Sequence, residues 1–205
     1  MRPSHRFLLA VLIASLSCKT DDDQTSRPQA GTAELESACQ RHDAEACYRL
    51  ADRYAQGEGV PQDAAKTRLF LSRACGNEHP TACHNLGVAW ERGEGAPVDL
   101  VKARALYRIS CNIDSAHGCT NWAVCLTNGI GGPVDHWKAR QVFSWSCDGG
   151  DYRACYNLGV LLRDGHGGKK DVKMAAELFG KACKLGFKDA CRKLPEPLQG
   201  SPPAR

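Results

Sequence analysis

Apolar residues follow a helical spacing that recurs along most of the chain. Leu86 and Trp90 stand four positions apart, and the same pair of apolar positions returns every 36 residues. Residues with this spacing share one face of an α-helix. A small residue, Ala or Gly, follows the first member of each pair and lets a neighbouring helix approach closely. The pattern predicts a first helix in each repeat. The apolar pairs are Leu50 and Tyr54, Leu86 and Trp90, Trp122 and Leu126, and Leu158 and Leu162.

Turn and capping residues predict a second helix in each repeat. A Gly-x-Gly motif follows each first helix, and glycine readily adopts the left-handed conformation that ends helices. An Asp then precedes a second apolar pattern of helical spacing, such as Ala139, Val142 and Phe143. Because Asp is a favoured N-cap, it marks the start of this helix. The glycine pairs are Gly57 and Gly59, Gly93 and Gly95, Gly129 and Gly131, and Gly165 and Gly167, and the capping residues are Asp63, Asp99, Asp135 and Asp171.

Ten of the 12 cysteines follow the same period. Cys47 comes eight positions after Cys39, and this C-x7-C pair returns four more times at intervals of 36 residues. A constant period of this length marks supersecondary units that stack and bury their apolar faces on one another. The predicted fold is an all-α solenoid of four α/α hairpins with partial caps. Each cysteine pair brackets the turn between one hairpin and the next, and helix starts inside these turns are predicted at Asp43, Pro80, Ser115 and Asp151.

The N-terminus predicts export. An apolar run of ten residues, 7–16, follows the basic Arg2 and Arg6 and is too short to span a bilayer. Residues 1–17 are therefore interpreted as a signal peptide. Small residues before Cys18 resemble a lipobox, which predicts lipidation of Cys18 and a lipoprotein of the periplasm or outer membrane. Ordinary cleavage at the same position, with secretion, is the alternative.

The flanking segments set the bounds of the solenoid, and the net charge limits the class of partner. The polar residues 18–33 are predicted to form a flexible tether, and residues 195–205, with four prolines, a disordered tail. The solenoid is predicted to span residues 34–194. A formal net charge of +4, without any run of basic residues, is too small to indicate nucleic acid as a partner. The lipid anchor is the only membrane contact that the sequence predicts.

An exported chain with this many cysteines is predicted to form disulfide bonds. Pairing Cys47 with Cys75 inside a hairpin would leave Cys39 and Cys191 without partners. Local pairing uses all ten cysteines and is the prediction. Metal binding is disfavoured, because C-x7-C lacks the close ligand spacing of zinc sites, and no cofactor is predicted. The predicted bonds are Cys39–Cys47, Cys75–Cys83, Cys111–Cys119, Cys147–Cys155 and Cys183–Cys191.

The repeat motif resembles a known family. The string C-x-N-L-G-V, then G-x-G, D-x-x-K-A and a closing cysteine is similar to the Sel1-like repeat, and the C-x7-C spacing to its cysteine-rich Hcp subfamily. The resemblance covers residues 34–194. It implies a TPR-like interaction scaffold that binds a protein or peptide. It also implies an alternative, since some Hcp proteins bind or slowly hydrolyse β-lactams. The sequence has no S-x-x-K, S-D-N or K-T-G motif of the serine β-lactamases, so no catalytic residue is predicted.

One set of polar residues suits a binding groove. Asn85, Asn121 and Asn157 recur on three first helices, which in helical-repeat proteins of this kind line the concave groove. An Asn side chain offers a donor and an acceptor to a peptide backbone. Arg92 and Asn128 stand further along the same face and are added to the candidate groove. A structural hydrogen bond to a neighbouring turn is an equally weighted interpretation of the three asparagines.

The third repeat carries residues that the other repeats lack. His136, Trp137 and Trp145 occupy positions that elsewhere hold residues such as Ala64, Arg73 or Lys181. An exposed aromatic patch would anchor a partner, and packing against the neighbouring repeat is the alternative. Cys125 lies outside the period of the other cysteines. A free helical thiol is the favoured interpretation of Cys125 over an intermolecular or nucleophilic role.

Overall fold

The computed structural model describes residues 31–113 and 116–194. Within those residues the chain forms ten α-helices and no strand. The predicted signal peptide 1–17, Cys18, most of the tether, the cap at Ser115 and the tail 195–205 lie outside the described residues. The predicted all-α solenoid is confirmed.

The helices pair into four hairpins, with a cap at each end. Hairpin one consists of α2 and α3, hairpin two of α4 and α5, hairpin three of α6 and α7, and hairpin four of α8 and α9, while α1 and α10 are the caps. The helices are α1 Thr32–Gln40, α2 Ala44–Gln56, α3 Ala64–Gly76, α4 Pro80–Arg92, α5 Leu100–Asn112, α6 Ala116–Asn128, α7 His136–Asp148, α8 Tyr152–Asp164, α9 Val172–Lys184 and α10 Lys188–Cys191.

The N-terminal cap begins slightly before the predicted boundary of the solenoid at residue 34. Helix α1 starts at Thr32, inside the segment assigned to the tether. The N–H of Gly31 donates to the carboxylate of Glu34 at 3.0 Å. A carboxylate in the first turn that satisfies a backbone donor stabilises the helix start, which explains the earlier beginning.

The capping residues act as the sequence predicts. The carboxylates of Asp63, Asp99, Asp135 and Asp171 each accept a hydrogen bond at 2.9 Å from the backbone N–H three residues on. Asp43 and Asp151 cap α2 and α8 in a similar way. Pro80 is the first residue of α4, but the cap itself is His79, whose Nδ1 accepts from the N–H of Ala82 at 3.2 Å. The sequence pattern does not predict a cap at this histidine.

The two helices of a hairpin approach closely at the small residue of the first helix. A Cβ atom on Gly87 would lie 2.7 Å from Cε1 of Tyr107, and one on Gly159 would lie 2.8 Å from Cε1 of Phe179. The aromatic rings of α5 and α9 therefore pack directly on the backbone of α4 and α8. These contacts place the core of each hairpin between its own two helices.

The disulfide bonds join successive hairpins. Each bond connects a helix to the one that follows it, with S–S distances of 1.80–2.05 Å and Cα–Cα distances of 4.4–4.8 Å. The first cysteine lies on the cap or second helix that ends a unit, and its partner lies eight residues further on. The predicted disulfide bonds are present as local pairs, Cys39–Cys47, Cys75–Cys83, Cys111–Cys119, Cys147–Cys155 and Cys183–Cys191.

Neighbouring hairpins are also joined by the second glycine of each Gly-x-Gly loop. A Cβ atom on Gly131 would lie 2.1 Å from the carbonyl oxygen of Leu100, at the start of the preceding second helix. Gly95 and Gly167 meet the preceding hairpin in the same way. Gly59 has nothing within 4 Å, because only the short cap α1 precedes its hairpin. The second glycine is thus a docking contact as well as a turn residue.

Arginines on three second helices form hydrogen bonds to the same loops, and we call these contacts the arginine clasps. The side chain of Arg68 donates to the carbonyl of Glu94, and Arg104 donates to the carbonyls of Ile130 and Pro133. Arg140 donates to four carbonyl oxygens of the next loop and helix end, those of Leu161, His166, Gly168 and Lys169. The fourth hairpin has Ala176 at this position, and no further Gly-x-Gly loop follows it.

We expect Arg140→Ala to destabilise the solenoid by about 2 kcal/mol, because hydrogen bonds from a charged donor typically contribute about 1.5–3 kcal/mol. Urea unfolding followed by circular dichroism measures the loss. Ala176→Arg is the matched control, since an arginine there has no loop to fasten, and it should change stability by less than about 0.5 kcal/mol. Equal stability of Arg140→Ala and the wild type would contradict the clasp.

Candidate functional site

The first helices of the hairpins line one face of the solenoid. Helices α4 and α6 contact each other directly on this face. A cleft of about 220 Å³ lies between α2 and α4. Tyr48 and Asp52 line its α2 side, and Asn85 and Val88 its α4 side, over a floor that includes Leu71 of α3. The predicted asparagine therefore lies at an open cleft between two first helices.

Two rows of side chains run along this face. Asn85, Asn121 and Asn157 are all half-buried. Three residues after each of them stands a valine that is also half-buried and packs at the edge of the core. These valines are not among the predicted site residues, although the last letter of the N-L-G-V motif contains the signal. The valine row consists of Val88, Val124 and Val160.

The middle asparagine lies beside a hydrogen-bonded cluster. The hydroxyl of Tyr107 donates to the carboxylate of Glu91, and the side chain of Asn121 is close enough to Tyr107 to lower its pKa slightly. Burial, followed by the hydrogen bond to Glu91, raises the pKa of Tyr107 far above its ordinary value. Asn121 therefore has the buried Tyr107 and Glu91 as neighbours, whereas Asn85 lines the cleft.

Cys125 lies buried beside this cluster and forms no disulfide bond. Burial, and secondly the charge of Glu91, raises the pKa of its thiol to about 11. A thiol with that pKa is protonated at neutral pH and is a poor nucleophile. This environment favours the interpretation of Cys125 as a buried free thiol.

Basic side chains gather near the middle of the same face. The rings of His84 on α4 and His117 on α6 lie 6.3 Å apart, edge to face. The pKa of His84 is lowered, first by burial and then by the positive charges of His117 and Arg153. Nδ1 of His84 is buried and has no hydrogen-bond partner. His84 is therefore neutral at pH 7, and further positive charge is unfavourable at this point.

Arg92 and Asn128 lie at the far ends of their helices. Both are exposed. Arg92 forms an exposed ion pair with Glu94 at 3.6 Å, and Nδ2 of Asn128 donates to the carbonyl of Val124 at 3.1 Å. An exposed ion pair of this kind contributes little to stability, so Arg92 is available to a ligand, whereas Asn128 already has a bond on its own helix.

Two of the three unusual residues of the third repeat are exposed. Trp137 is 62% exposed and Trp145 is 49% exposed. His136 is half-buried, its ring lies 5.0 Å from that of His166, and its buried Nδ1 has no hydrogen-bond partner. His136 packs beneath the next loop, because Gly167 docks on its backbone. The exposed patch therefore consists of the two tryptophans and excludes His136.

In the described part of the chain, no cluster of three or more His, Cys, Asp or Glu side chains could hold a metal ion. None of the helices in residues 31–113 and 116–194 has the length and apolar character of a membrane span.

A stack of disulfide-linked helical hairpins defines a helical-repeat scaffold. The family model described as Sel1 repeat matches residues 44–79, 80–115, 116–143 and 153–187. This protein belongs to the Sel1 repeat family, whose members generally mediate protein interactions. Disulfide bonds are typical of proteins outside the cytoplasm.

Solved structures with the same fold include c5321 of uropathogenic Escherichia coli, described as a protective antigen with an SLR fold. It has a TM-score of 0.75 and 26% identity over 79% of this chain and 35% of that one, so this chain spans about a third of its length. A Sel1 repeat protein from Oxalobacter formigenes has a TM-score of 0.73 and 23% identity, over 84% of this chain and 78% of that one. Cysteine-rich protein B of Helicobacter pylori has 24% identity and a TM-score of 0.31, over 81% of this chain and 98% of that one. The search of curated proteins gave no match.

Proposed function

We propose that this protein is an exported, lipid-anchored scaffold that binds a protein or peptide segment in the groove along its first helices. The observation that carries the proposal is the pair of rows on that face, in which each of three first helices contributes one asparagine and, three residues later, one valine. The asparagines are Asn85, Asn121 and Asn157, and the valines are Val88, Val124 and Val160.

The two rows suit an extended peptide. A peptide backbone that leaves water needs partners for its N–H and C=O groups, and an Asn side chain supplies an acceptor and two donors. The half-buried valines offer apolar surface to the peptide side chains between those points. Arg92 adds a positive charge at one end of the groove, and the cleft of about 220 Å³ at Asn85 leaves room for a peptide side chain.

Export and anchoring rest on separate observations. Five disulfide bonds support a location outside the cytoplasm. The small residues before Cys18 support lipidation of that cysteine and a place in the periplasm or outer membrane. Intact mass of the protein purified from membranes tests this directly. A mass that includes a diacylglyceryl group on Cys18 is expected, and a soluble protein that begins at Cys18 without lipid would contradict the anchor.

The groove is tested with a matched pair of triple variants. Asn85→Ala, Asn121→Ala and Asn157→Ala together remove the polar row, while Ser72→Ala, Ser144→Ala and Glu177→Ala change exposed residues of the second helices. A displayed library of random peptides is selected on the oxidised full-length wild type, and the enriched peptides are then titrated against both variants.

We expect the enriched peptides to lose roughly tenfold or more in affinity for the asparagine variant and to bind the control variant as they bind the wild type. Circular dichroism checks that both variants fold. Equal binding to both variants would overturn the groove assignment. Saturable turnover of a chromogenic β-lactam by the wild type, without enrichment of any peptide, would favour the alternative of a β-lactam hydrolase.

A further inference from the structure

A second difference between the repeats lies on the other face of the molecule, between the second helices α5 and α7. There a cleft of about 330 Å³ opens between hairpins two and three. Its α5 wall includes Val101, Arg104 and Arg108, its α7 wall includes Lys138, and its floor is formed by side chains of α6. We call this the basic cleft. Its volume falls in the range of small ligand sites.

The basic cleft lies where hairpin three has a smaller residue than hairpin two. At the preceding junction Trp90 fills the equivalent space, with the guanidinium of Arg68 4.7 Å and the ammonium of Lys102 4.2 Å from its ring. In hairpin three the position of Trp90 is taken by Leu126, and the tryptophan stands four residues earlier, at Trp122. The smaller leucine leaves the cleft open above it.

One cation of the basic cleft lacks the ion pair that its counterpart in the preceding hairpin forms. Lys102 forms an ion pair with Asp99 at 3.0 Å, but Lys138 forms none and lies 5.3 Å from the ring of Trp122. Within the described residues, Arg104, Arg108 and Lys138 are absent from every ion pair. Arg104 donates only to backbone carbonyls.

Two further residues are special to this junction. The position of Arg108 is occupied by Ser72, Ser144 and Gly180 in the other hairpins, so a positive charge occurs only here. Trp145 follows Lys138 by seven residues, which places it two turns further along the same face of α7. It is 49% exposed, and the other second helices have Arg73, Ile109 and Lys181 at its position.

We propose that the basic cleft binds an acidic segment of a partner protein, with its carboxylates on Arg104, Arg108 and Lys138 and an adjacent apolar side chain on Trp122. Charge complementarity carries this choice, because the lining contains three cations and one carboxylate, that of Asp135, which already caps the N–H of Lys138 at 2.9 Å. Guanidinium groups bind carboxylates in a bidentate geometry, and the indole offers apolar area.

The concave shape favours a peptide side chain over an anionic bilayer. A flat membrane surface would reach the exposed Val101 and Trp145 but not the ring of Trp122 on the floor of the cleft. This site is separate from the proposed groove, which lies on the first helices, so either surface can exist without the other.

The test uses isothermal titration of the full-length oxidised protein with the capped hexapeptide Glu-Leu-Glu-Phe-Glu-Gly and with its Gln-Leu-Gln-Phe-Gln-Gly counterpart. We expect the acidic peptide to bind about tenfold tighter or better than the amide counterpart, with an affinity that falls as salt rises. The double variant Arg108→Ser, Lys138→Met takes its residues from the equivalent positions Ser72 and Met174 and should lower the affinity by about tenfold.

Two matched variants complete the test. Arg41→Ser with Lys170→Met removes the same charge from exposed positions elsewhere and should leave binding unchanged. Leu126→Trp keeps every cation but refills the cleft, as Trp90 does at the preceding junction, and should abolish binding.

We call Arg108→Ser, Lys138→Met the cleft variant and Arg41→Ser, Lys170→Met its charge control. An equal loss of peptide affinity in both would overturn the proposal, because binding would then follow net charge alone. Loss of binding in the triple asparagine variant, with the cleft variant unaffected, would place the peptide in the groove and also overturn it. Binding to phosphatidylglycerol vesicles that Arg108→Ser, Lys138→Met weakens, without any binding of the acidic peptide, would identify a membrane surface instead.

Discussion

Reduction of the five disulfide bonds is expected to unfold the solenoid at temperatures at which the oxidised protein is fully folded. Each bond closes a loop with a sequence separation of 8 residues, for which the loop-entropy model gives roughly 2–3 kcal/mol. The total stability of a typical domain is about 5–15 kcal/mol. Each hairpin has a modest core and contacts only its neighbours. The bonds therefore supply a large share of the stability.

Thermal unfolding followed by circular dichroism, with and without reductant, measures this effect. The double variant Cys147→Ala, Cys155→Ala removes one bond and should lower Tm by roughly 5–10 °C. Cys125→Ala is the matched control, because it removes a cysteine but no bond, and it should respond to reductant as the wild type does. A reduced and alkylated protein that unfolds at the same temperature as the oxidised one would contradict the prediction.

Gly131→Ala is expected to be the most damaging single substitution in the loops. Gly131 has a φ angle of +67°, and an added Cβ would lie 2.1 Å from the carbonyl oxygen of Leu100. The left-handed conformation alone costs a non-glycine residue about 1–2 kcal/mol. The backbone atom cannot yield as a flexible side chain would, so the loop of hairpin three must move away from α5. That movement also pulls the carbonyls of this loop away from Arg104.

Gly59→Ala is the control for Gly131→Ala, because the two positions share their conformation but not their surroundings. Gly59 has a φ angle of +70° and nothing within 4 Å. Urea unfolding should show that Gly131→Ala loses at least about 2 kcal/mol more than Gly59→Ala, in line with the cost of overpacking. Equal losses would mean that only the backbone conformation matters and that the docking contact contributes nothing.

The candidate groove shows how far a repeated motif predicts a site. The three asparagines were found because they recur on the 36-residue period. The structure separates them, since Asn121 lies beside the buried Tyr107 while Asn85 lines a cleft. Equal spacing in the sequence therefore does not mean equal chemistry, because the neighbouring side chains differ from one hairpin to the next.

The basic cleft could not be predicted from the motif. Leu126 matches the apolar pattern as well as Trp90 does, and both satisfy the requirement for a buried helix face. Whether a leucine in place of the tryptophan leaves an open cleft depends on the volume between α5 and α7, which only the packed structure defines. The same holds for His136, which occurs next to an exposed tryptophan in the sequence but packs against His166 of the following loop.

The sequence by itself determined the ten-cysteine period, the order of the hairpins, most of the helix caps and ends, and the local disulfide pairs. These features depend on backbone preferences and on residues close together in the chain. The tertiary structure alone decided the contacts between hairpins, namely the docking of Gly131 on Leu100, the arginine clasps and the volume of the basic cleft. The clasps join residues 21–29 positions apart. Such contacts depend on how one folded hairpin lies against the next, which no local pattern specifies.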